Sequence, residues 1–397
     1  MDELPQLITR IIISEWLLLS KRPAKLRKLL CIIVKILIEM VVERDIVAIS
    51  IPFTAGVAAV AVLPPCGEDF IYKAALVSSI VLAGFLLLST VRRTGFSPIL
   101  PTFFFIGILC ACNARINAAA APDGFHIAER ALERFASFID SMDFGDERTA
   151  PLVKALLTGR KESLTQETVN TFRTSGAAHI LALSGLHLGV IYGILTKLLS
   201  VLGNSRGAAI VRSSLTILAA GFYTMMTGAG PSIVRAFLFI TMNELLRLMP
   251  GRRREPLSIL CAALTVQLAA SPMVIKSVGF QLSYLSMLGI FTVFPRLDAW
   301  YPESGRFDIM RKIWSSAALS LSCQIFTAPV VWYYFHTFPE YFLLTNLLAL
   351  PLSEGLIVSS AICIPLEAAG CCPDILKSPV DFLARALIFC LETVTKM

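Results

Sequence analysis

The sequence predicts an all-α, polytopic membrane protein, a helical bundle with about 10 or 11 spans. Hydrophobic residues make up 56% of the 397-residue chain and charged residues only 16%, whereas soluble domains carry about 25% charged residues. Apolar stretches long enough to cross a bilayer recur along the whole chain. They lie near residues 45–64, 74–90, 96–113, 177–200, 208–227, 232–249, 256–271, 278–295, 313–333, 352–368 and 379–395.

The first 42 residues predict amphipathic helices on the membrane surface rather than a signal peptide. Residues 7–20 and 26–42 are amphipathic and flank a basic cluster, a pattern typical of interfacial helices. Asp2 and Glu3 are untypical of the basic start of a secretory signal. Basic loops fall on one side of the predicted spans, so the positive-inside rule places the N-terminus in the cytoplasm.

Three segments follow from this pattern. Residues 1–113 hold the amphipathic helices and three spans, residues 114–176 form an external amphipathic-helix linker, and residues 177–397 form the main transmembrane bundle. Between residues 123 and 140, apolar side chains recur at helical spacing. This helix lies either flat on the outer leaflet or packed against another domain.

A broken helix is predicted near residue 351. Residues 340–350 are apolar but too short to cross, and they end at Pro351. Such half-helices are tolerated where protein or a water-filled cavity covers their ends. Asn346 and Glu354 bracket the break, as polar residues do in many translocation sites. A position of Glu354 at the membrane interface is an equal alternative.

The run FRTSGAAHILALSGLHLGVIYG (172–193) predicts a helix that lines an interior space. Its polar side chains, which a lipid-facing helix avoids, are His179, Ser184 and His187. Its glycines, which predict a close-packed face, are Gly185, Gly189 and Gly193. On one α-helix the two histidines point about 80° apart, which is poor geometry for a shared metal, and hydrogen-bonded packing is their alternative role. Because no acid partner is identifiable for the Ser184–His187 pair, we expect no catalytic residue, metal, cofactor or enzyme activity.

Arg235 is the most distinctive single residue. The irregular stretch from Gly228 to Pro231 precedes it, and Pro231 suits the first turn of a helix, so Arg235 lies about one turn inside. A guanidinium at that depth needs water or a partner, and its planar fork matches phosphate. The alternatives are a structural tie to carbonyls or to a carboxylate, and snorkelling to the outer interface.

Polar seams run along two later helices. One comprises Ser277, Gln281 and Tyr284, and the other comprises Ser316, Ser320, Gln324 and Thr327. Each seam serves either interhelical hydrogen bonds or a wet, neutral lumen. The lumen hypothesis predicts that the two seams face each other across one outward-open cavity. The predicted lining of this channel is His179, Ser184, His187, Arg235, Gln281, Tyr284, Gln324 and Asn346.

The bundle resembles the competence domain of the ComEC family. The segment GRKESLTQETVNTFRTSGAAHILALSGLHLGV (159–190) is similar to the opening of that domain. Three later blocks are similar to the family in the same order, namely TGAGPSIVRA, VGFQLSYLSMLGI, and QIFTAPV with TNLLALPLSEGLIV. The resemblance covers residues 155–365 and depends on the order of the four blocks.

This resemblance implies a multi-pass protein of a bacterial inner (plasma) membrane that passes single-stranded DNA into the cell during natural transformation. The implied partners are single-stranded DNA, the lipid bilayer, a separate nuclease and a cytoplasmic DNA-translocating ATPase. Longer family members carry an OB-like external domain and a metallo-β-lactamase-like domain. We expect neither here, because residues 114–176 have helical patterning and the four histidines form no HxHxDH motif.

The net charge of +7 does not by itself indicate a DNA-binding protein. The external segment 114–176 holds eight Lys/Arg and nine Asp/Glu, so the basicity reflects membrane topology and not a phosphate footprint. Two alternatives therefore stay open beside DNA passage. One is a small-solute transporter, which an intramembrane arginine and a broken helix would serve equally well. The other is a reduced, non-transporting paralogue that assembles with other chains; the oligomeric state is open.

Overall fold

The computed structural model describes residues 46–64, 68–91, 99–117, 126–203, 205–249, 255–302, 308–336 and 341–396. All regular structure within these ranges is helical. The α-helices, in chain order, are α1 (Ile46–Val62), α2 (Glu68–Val91), α3 (Ile99–Ile116), α4 (His126–Ser141), α5 (Thr149–Thr158), α6 (Gln166–Thr174), α7 (Ala178–Leu181), α8 (Gly185–Leu198), α9 (Arg206–Met226), α10 (Pro231–Arg247), α11 (Pro256–Ala270), α12 (Val278–Thr292), α13 (Phe294–Asp298), α14 (Ile309–Phe335), α15 (Phe342–Ala368) and α16 (Asp374–Thr395). The predicted surface helices at 7–20 and 26–42 lie outside the described residues.

The chain divides into two compact units. Unit 1 comprises residues 1–124 and 241–281, and unit 2 comprises residues 125–240 and 282–397. The two units are defined by contacts in space and not by the sequence pattern. They do not test the three predicted segments, which stay a prediction.

Unit 1 is organised by a close approach of α1 and α3. A Cβ atom on Gly56 would overlap the carbonyl of Phe104, and one on Gly107 would overlap the carbonyl of Phe53. Glycine at both positions therefore lets the two backbones touch, which is how helices associate where lipid supplies no hydrophobic drive. A hydrogen bond of 2.8 Å between the hydroxyls of Ser50 and Thr265 ties α1 to α11.

The core of unit 2 surrounds the short helix α5. Leu152, Val153 and Leu156 are at most 1% exposed and pack in one cluster with side chains from α15 and α16. Burial of each such side chain stabilises the fold by about 1.5–3 kcal/mol. The segment 114–176 therefore contributes to the core of the bundle, and its predicted external location remains a prediction.

The amphipathic helix α4 packs on protein. Its apolar stripe includes Leu132, Ala136 and Ile139, which are 9%, 5% and 0% exposed, and α4 contacts α5 and α9. Of the two alternatives for this helix, packing against another part of the protein accounts for its apolar face.

The prediction of an all-α membrane bundle is confirmed. Four helical segments are long and apolar enough to cross a bilayer: Gly185–Leu202 (α8 with its terminal 3₁₀ turn), α9, α14 and α15. Shorter apolar helices of 10–17 residues accompany them, namely α1, Leu100–Ile116, α5, α11 and α12. These figures refer to the described residues, and the number of 10 or 11 spans stays a prediction.

The predicted break at Pro351 is wrong. Helix α15 continues from Phe342 to Ala368 with Pro351 and Pro365 inside it, so Asn346 and Glu354 lie on one helix. A proline removes a single backbone hydrogen bond and bends a helix. Within a membrane, neighbouring helices compensate for that loss, and the helix continues.

The broken helix lies instead within the run 172–193. Helix α6 ends at Thr174, α7 covers four residues, and Ala182 and Ser184 are extended before α8 begins at Gly185. His179 and His187 are therefore on different helices, and the prediction of one continuous helix carrying both is wrong. Local hydrogen bonds of Ser184 stop the helix here, as serine does at helix starts.

Candidate functional site

The start of α8 is fixed by a reciprocal pair of hydrogen bonds between Ser184 and His187. Ser184 Oγ accepts from the backbone N–H of His187, and His187 Nδ1 accepts from the Ser184 N–H at 3.1 Å. The Leu186 N–H also donates to Ser184 Oγ at 3.2 Å. The His187 side chain forms the second half of a capping box with Ser184. Ser184 and His187 thus have a clear structural role at a helix start.

His187 also presents an unused donor. Because Nδ1 accepts the Ser184 N–H, the proton of the neutral ring is assigned to Nε2. His187 is 1% exposed, and Nε2 has no hydrogen-bond partner among the described residues. A buried donor without an acceptor is costly, so this nitrogen is suited to an acceptor from outside the chain.

The start of α10 follows a left-handed turn. Gly228 and Ala229 have φ angles of 82° and 49°, and the Ala229 N–H donates to the Thr224 carbonyl at 2.9 Å, closing the end of α9. A positive φ is unfavourable for alanine. Pro231 then begins α10, as predicted.

Gly185 places the guanidinium of Arg235 beside the start of α8. A Cβ atom on Gly185 would lie 2.6 Å from Arg235 Nη2 and 3.2 Å from Ala236 Cβ. Helices α8 and α10 therefore touch at Gly185, the position for which close packing was predicted. In contrast, a Cβ atom on Gly189 or Gly193 would meet no atom within 4 Å, so the predicted glycine stripe packs the described part of the chain only at Gly185.

Arg235 is buried without a counter-charge in the described residues. It is 7% exposed, none of the ion pairs there includes it, and its Nε has no hydrogen-bond partner. Tyr284 on α12 is close enough to act on its charge. Among the predicted alternatives for Arg235, a tie to a carboxylate is therefore not observed in the described part of the chain.

A cleft of about 590 Å³ opens next to these two helix starts. Its walls are the connection after α5, the extended residues before α8 and the turn between α9 and α10, with Glu129 and Leu132 of α4. The residues of those three connections are 158–162, 181–183 and 225–229. Since Gly185 follows two residues after Leu183, Arg235 is adjacent to the segment that forms one wall.

The charges of the cleft leave a positive balance. Arg160 and Lys161 in the lining are matched by Glu129 and Glu162. The N-termini of α8 and α10 next to the cleft add partial positive charge, and the guanidinium of Arg235, which is not part of the lining, lies against Gly185 nearby. Partial burial and the neighbouring charge of Arg173 lower the pKa of Lys161. The arrangement favours a bound anion.

Tyr284 and Gln324, one from each predicted polar seam, do not face each other across the contact of α12 with α14. A Cβ atom on Gly289 would overlap the Ser322 carbonyl, and Cys323 Sγ lies 3.9 Å from the Ser286 carbonyl. Tyr284 and Gln324 are each two residues from Ser286 and Ser322, hence about 200° around their helices, on the far faces. Tyr284 and Gln324 therefore do not meet across this contact, and one lumen between the two whole seams stays a prediction.

The remaining predicted lining residues are distributed over the molecule. Helices α10 and α12 are in contact, because Phe239 of α10 stacks on Phe291 of α12 with ring centroids 5.9 Å apart. Tyr284 is seven residues before Phe291 and so lies on the same face of α12. His179 is exposed, with Nδ1 3.2 Å from the Gly176 carbonyl. Gln281 belongs to unit 1 and donates to the Ile275 carbonyl at 2.9 Å. Asn346 Oδ1 is buried with no partner in the described chain. Among the predicted residues, Ser184 contacts His187, and Arg235 lies near Tyr284 and against Gly185, the residue that follows Ser184.

Sequence reasoning missed the cleft itself. Residues 159–162 open the first resembling block and enter the charge balance, but neither pattern indicated a cleft wall. Gly159 has a φ of 77° and packs against Leu183, with its Cβ position 3.5 Å from Leu183 Cβ. The glycines at 159, 228 and 230, each at the edge of a resembling block, are the signal that could have indicated a shared site.

The fold and the site together define a helical membrane protein with an anion-favouring cleft at the start of its motif helices. The family model described as Competence protein matches residues 156–397. Because this match covers more than half of the chain, the protein belongs to the competence protein family.

Two relatives extend the comparison. ComE operon protein 3 of Bacillus subtilis (strain 168) is 28% identical over 251 residues, which are 62% of this chain and 30% of that protein. Uncharacterized protein YcaI of Escherichia coli (strain K12) is 26% identical over 255 residues, which are 58% of this chain and 31% of that protein. The chain thus matches about a third of the length of these curated relatives. No solved structure matches the chain.

Proposed function

We propose that this protein forms part of the path by which single-stranded DNA enters a bacterial cell during natural transformation. The observation that carries the proposal is the cleft beside Gly185 and Arg235, which favours an anion and lies within the family-matched region. A DNA strand carries one negative charge per nucleotide, so the unmatched positive charge of this site provides attraction.

The predicted topology gives the cleft a direction. With the N-terminus in the cytoplasm of an inner-membrane protein, the starts of α8 and α10 face the outside. A positive site at an outer opening raises the local concentration of a polyanion, and the few charges along the apolar helices would let the strand move on without strong retention.

The remaining steps of uptake are assigned to other proteins. We propose a passive, non-enzymatic role for this chain, with a separate nuclease that removes the complementary strand and a cytoplasmic ATPase that pulls the strand inward. Lipid and single-stranded DNA are then the partners that it contacts itself.

A small-solute carrier is the second candidate. The cleft volume of about 590 Å³ falls in the range of about 300–1,000 Å³ that is typical of small-ligand pockets. If the protein is a carrier, its loss should impair growth on a particular solute and leave DNA entry unchanged.

The experiment is deletion of the gene in a naturally transformable host, with uptake of fluorescently labelled duplex DNA measured as nuclease-protected signal inside the cell. We expect the deletion to abolish the protected signal and the wild-type gene to restore it. The matched control is Gly189→Ala, a helical glycine with open space around it, which should restore uptake fully. Normal uptake in the deletion strain would show that the proposal is wrong, and a loss of solute import instead would favour the carrier.

A further inference from the structure

We propose that the start of α8 is a binding site for one phosphate group, held by Arg235 where its guanidinium meets Gly185. The identification of that phosphate as part of a DNA strand rests on the function proposed above, whereas the site does not. Three observations support it: two concern side-chain donors that the described protein leaves unused, and the third concerns the positive end of a helix.

The first observation is the guanidinium. Arg235 is 7% exposed, and its Nε is buried with no acceptor among the described residues. Its Nη2 lies against the α-carbon of Gly185, the first residue of α8. A buried cation is retained at such a place only with water or a partner, and its planar fork fits two oxygens of one phosphate.

The second observation is the imidazole. His187, 1% exposed, uses Nδ1 as an acceptor and so directs an Nε2–H into the protein without an acceptor in the described residues. Both side chains therefore offer protons and neither offers an acceptor atom at the unused positions. Unused donors of this kind select an anion rich in acceptor oxygens, and they disfavour a metal ion or an ammonium group. His187 is two residues from Gly185, hence about 200° around α8, so it is a second unused donor of this turn, and Arg235 is the side chain that faces the contact at Gly185.

The third observation is the backbone. Helix α8 is 14 residues long, and its positive N-terminal end coincides with the contact of Gly185 and Arg235. A helix N-terminus together with a guanidinium is the arrangement that binds phosphate in many proteins. Glycine at position 185 is required, because a Cβ atom 2.6 Å from Nη2 would displace the guanidinium.

The site is tested with purified protein in detergent and two probes, inorganic phosphate and a short fluorescent oligo-dT. We expect Arg235→Gln to weaken oligo-dT binding about tenfold to a hundredfold, since hydrogen bonds to charged groups are strong. The slope of log affinity against log salt should decrease by about 0.7, the value for one phosphate of a single strand. Inorganic phosphate should compete with oligo-dT for the wild type and not for Arg235→Gln.

A second variant protects the test against misfolding. Gly185→Ala keeps every charge but displaces the guanidinium, so it should reproduce the lost phosphate competition, whereas Gly189→Ala on the same helix should bind as the wild type does. Arg247→Gln removes an arginine that pairs with Glu244 at 3.5 Å further along α10, and it should keep the phosphate competition and the salt slope. Elution as a single peak in size exclusion establishes that each variant is folded.

The outcomes separate the site from the function. Wild-type affinity, salt slope and phosphate competition in folded Arg235→Gln would overturn the site, whatever DNA uptake does. Phosphate binding that disappears in Arg235→Gln supports the site, and unchanged DNA uptake by the same variant in cells would then contradict the proposed function alone.

Discussion

Lys154 and Arg235 are both buried cations of unit 2, each 7% exposed, yet they are satisfied in different ways. Lys154 Nζ lies 2.7 Å from Asp140 Oδ1 and 2.8 Å from Asp140 Oδ2, an ion pair that joins α5 to α4. Arg235 has no ion pair in the described residues and meets the bare α-carbon of Gly185. The comparison indicates which buried charge serves the fold and which is available to a ligand.

The largest expected effect is on stability at the paired cation. Asp140→Asn leaves the ammonium of Lys154 buried without a counter-charge, which costs about 3 kcal/mol, the lower end for a broken buried pair, because Asp140 is half exposed. A thermal melt followed by size exclusion measures the loss. The double variant with Lys154→Met should recover most of it, and no recovery would mean that the ion pair is not the cause.

The next effect is on uptake at the unpaired cation. Arg235→Gln should reduce DNA uptake per inserted molecule by about tenfold or more, while its melting temperature stays near the wild-type value, because no ion pair of the described residues is lost. Lysine should rescue in part, since it restores the charge without the planar fork. Parallel loss of abundance and activity in both variants would assign Arg235 to the fold, and the contrast with Lys154 would disappear.

Gly185→Ala sharpens the contrast by moving the charge without removing it. The added methyl group must push aside Nη2, the far end of a flexible side chain, and it lies 3.2 Å from Ala236 Cβ, so uptake should fall severalfold while stability falls only slightly. Uptake is measured per inserted molecule, as for Arg235→Gln. Wild-type uptake by this variant would contradict the placement of the guanidinium at the start of α8.

The smallest effect is expected at Gly189. Alanine there meets no atom within 4 Å, and glycine inside a helix is less stable than alanine by about 0.5–1 kcal/mol. Gly189→Ala should therefore raise the melting temperature slightly and leave uptake unchanged. A decrease in stability would indicate that α8 has a neighbour at this face.

Composition and periodicity predicted the helices, and the dipeptide Gly230–Pro231 predicted the start of α10, because these features depend on local physics alone. The break before Gly185 was not predicted, because the apolar run 172–193 predicts a continuous helix. The hydrogen bonds by which Ser184 starts a new helix are not visible in that pattern. The contact between Gly185 and Arg235 joins positions 50 residues apart and depends on which helices are neighbours. Polar seams such as that of Gln324 likewise show a face but not what that face meets.

The two prolines inside α15 have a consequence for its mechanics. Proline has no N–H, so the carbonyls of Leu347 and Ala361, four residues before Pro351 and Pro365, receive no helical hydrogen bond. Each of these two carbonyls is a backbone acceptor that is available to water or to a neighbouring hydroxyl. Because those two bonds are already absent, bending α15 at either point breaks nothing further, and this helix can flex there more easily than along the rest of its length.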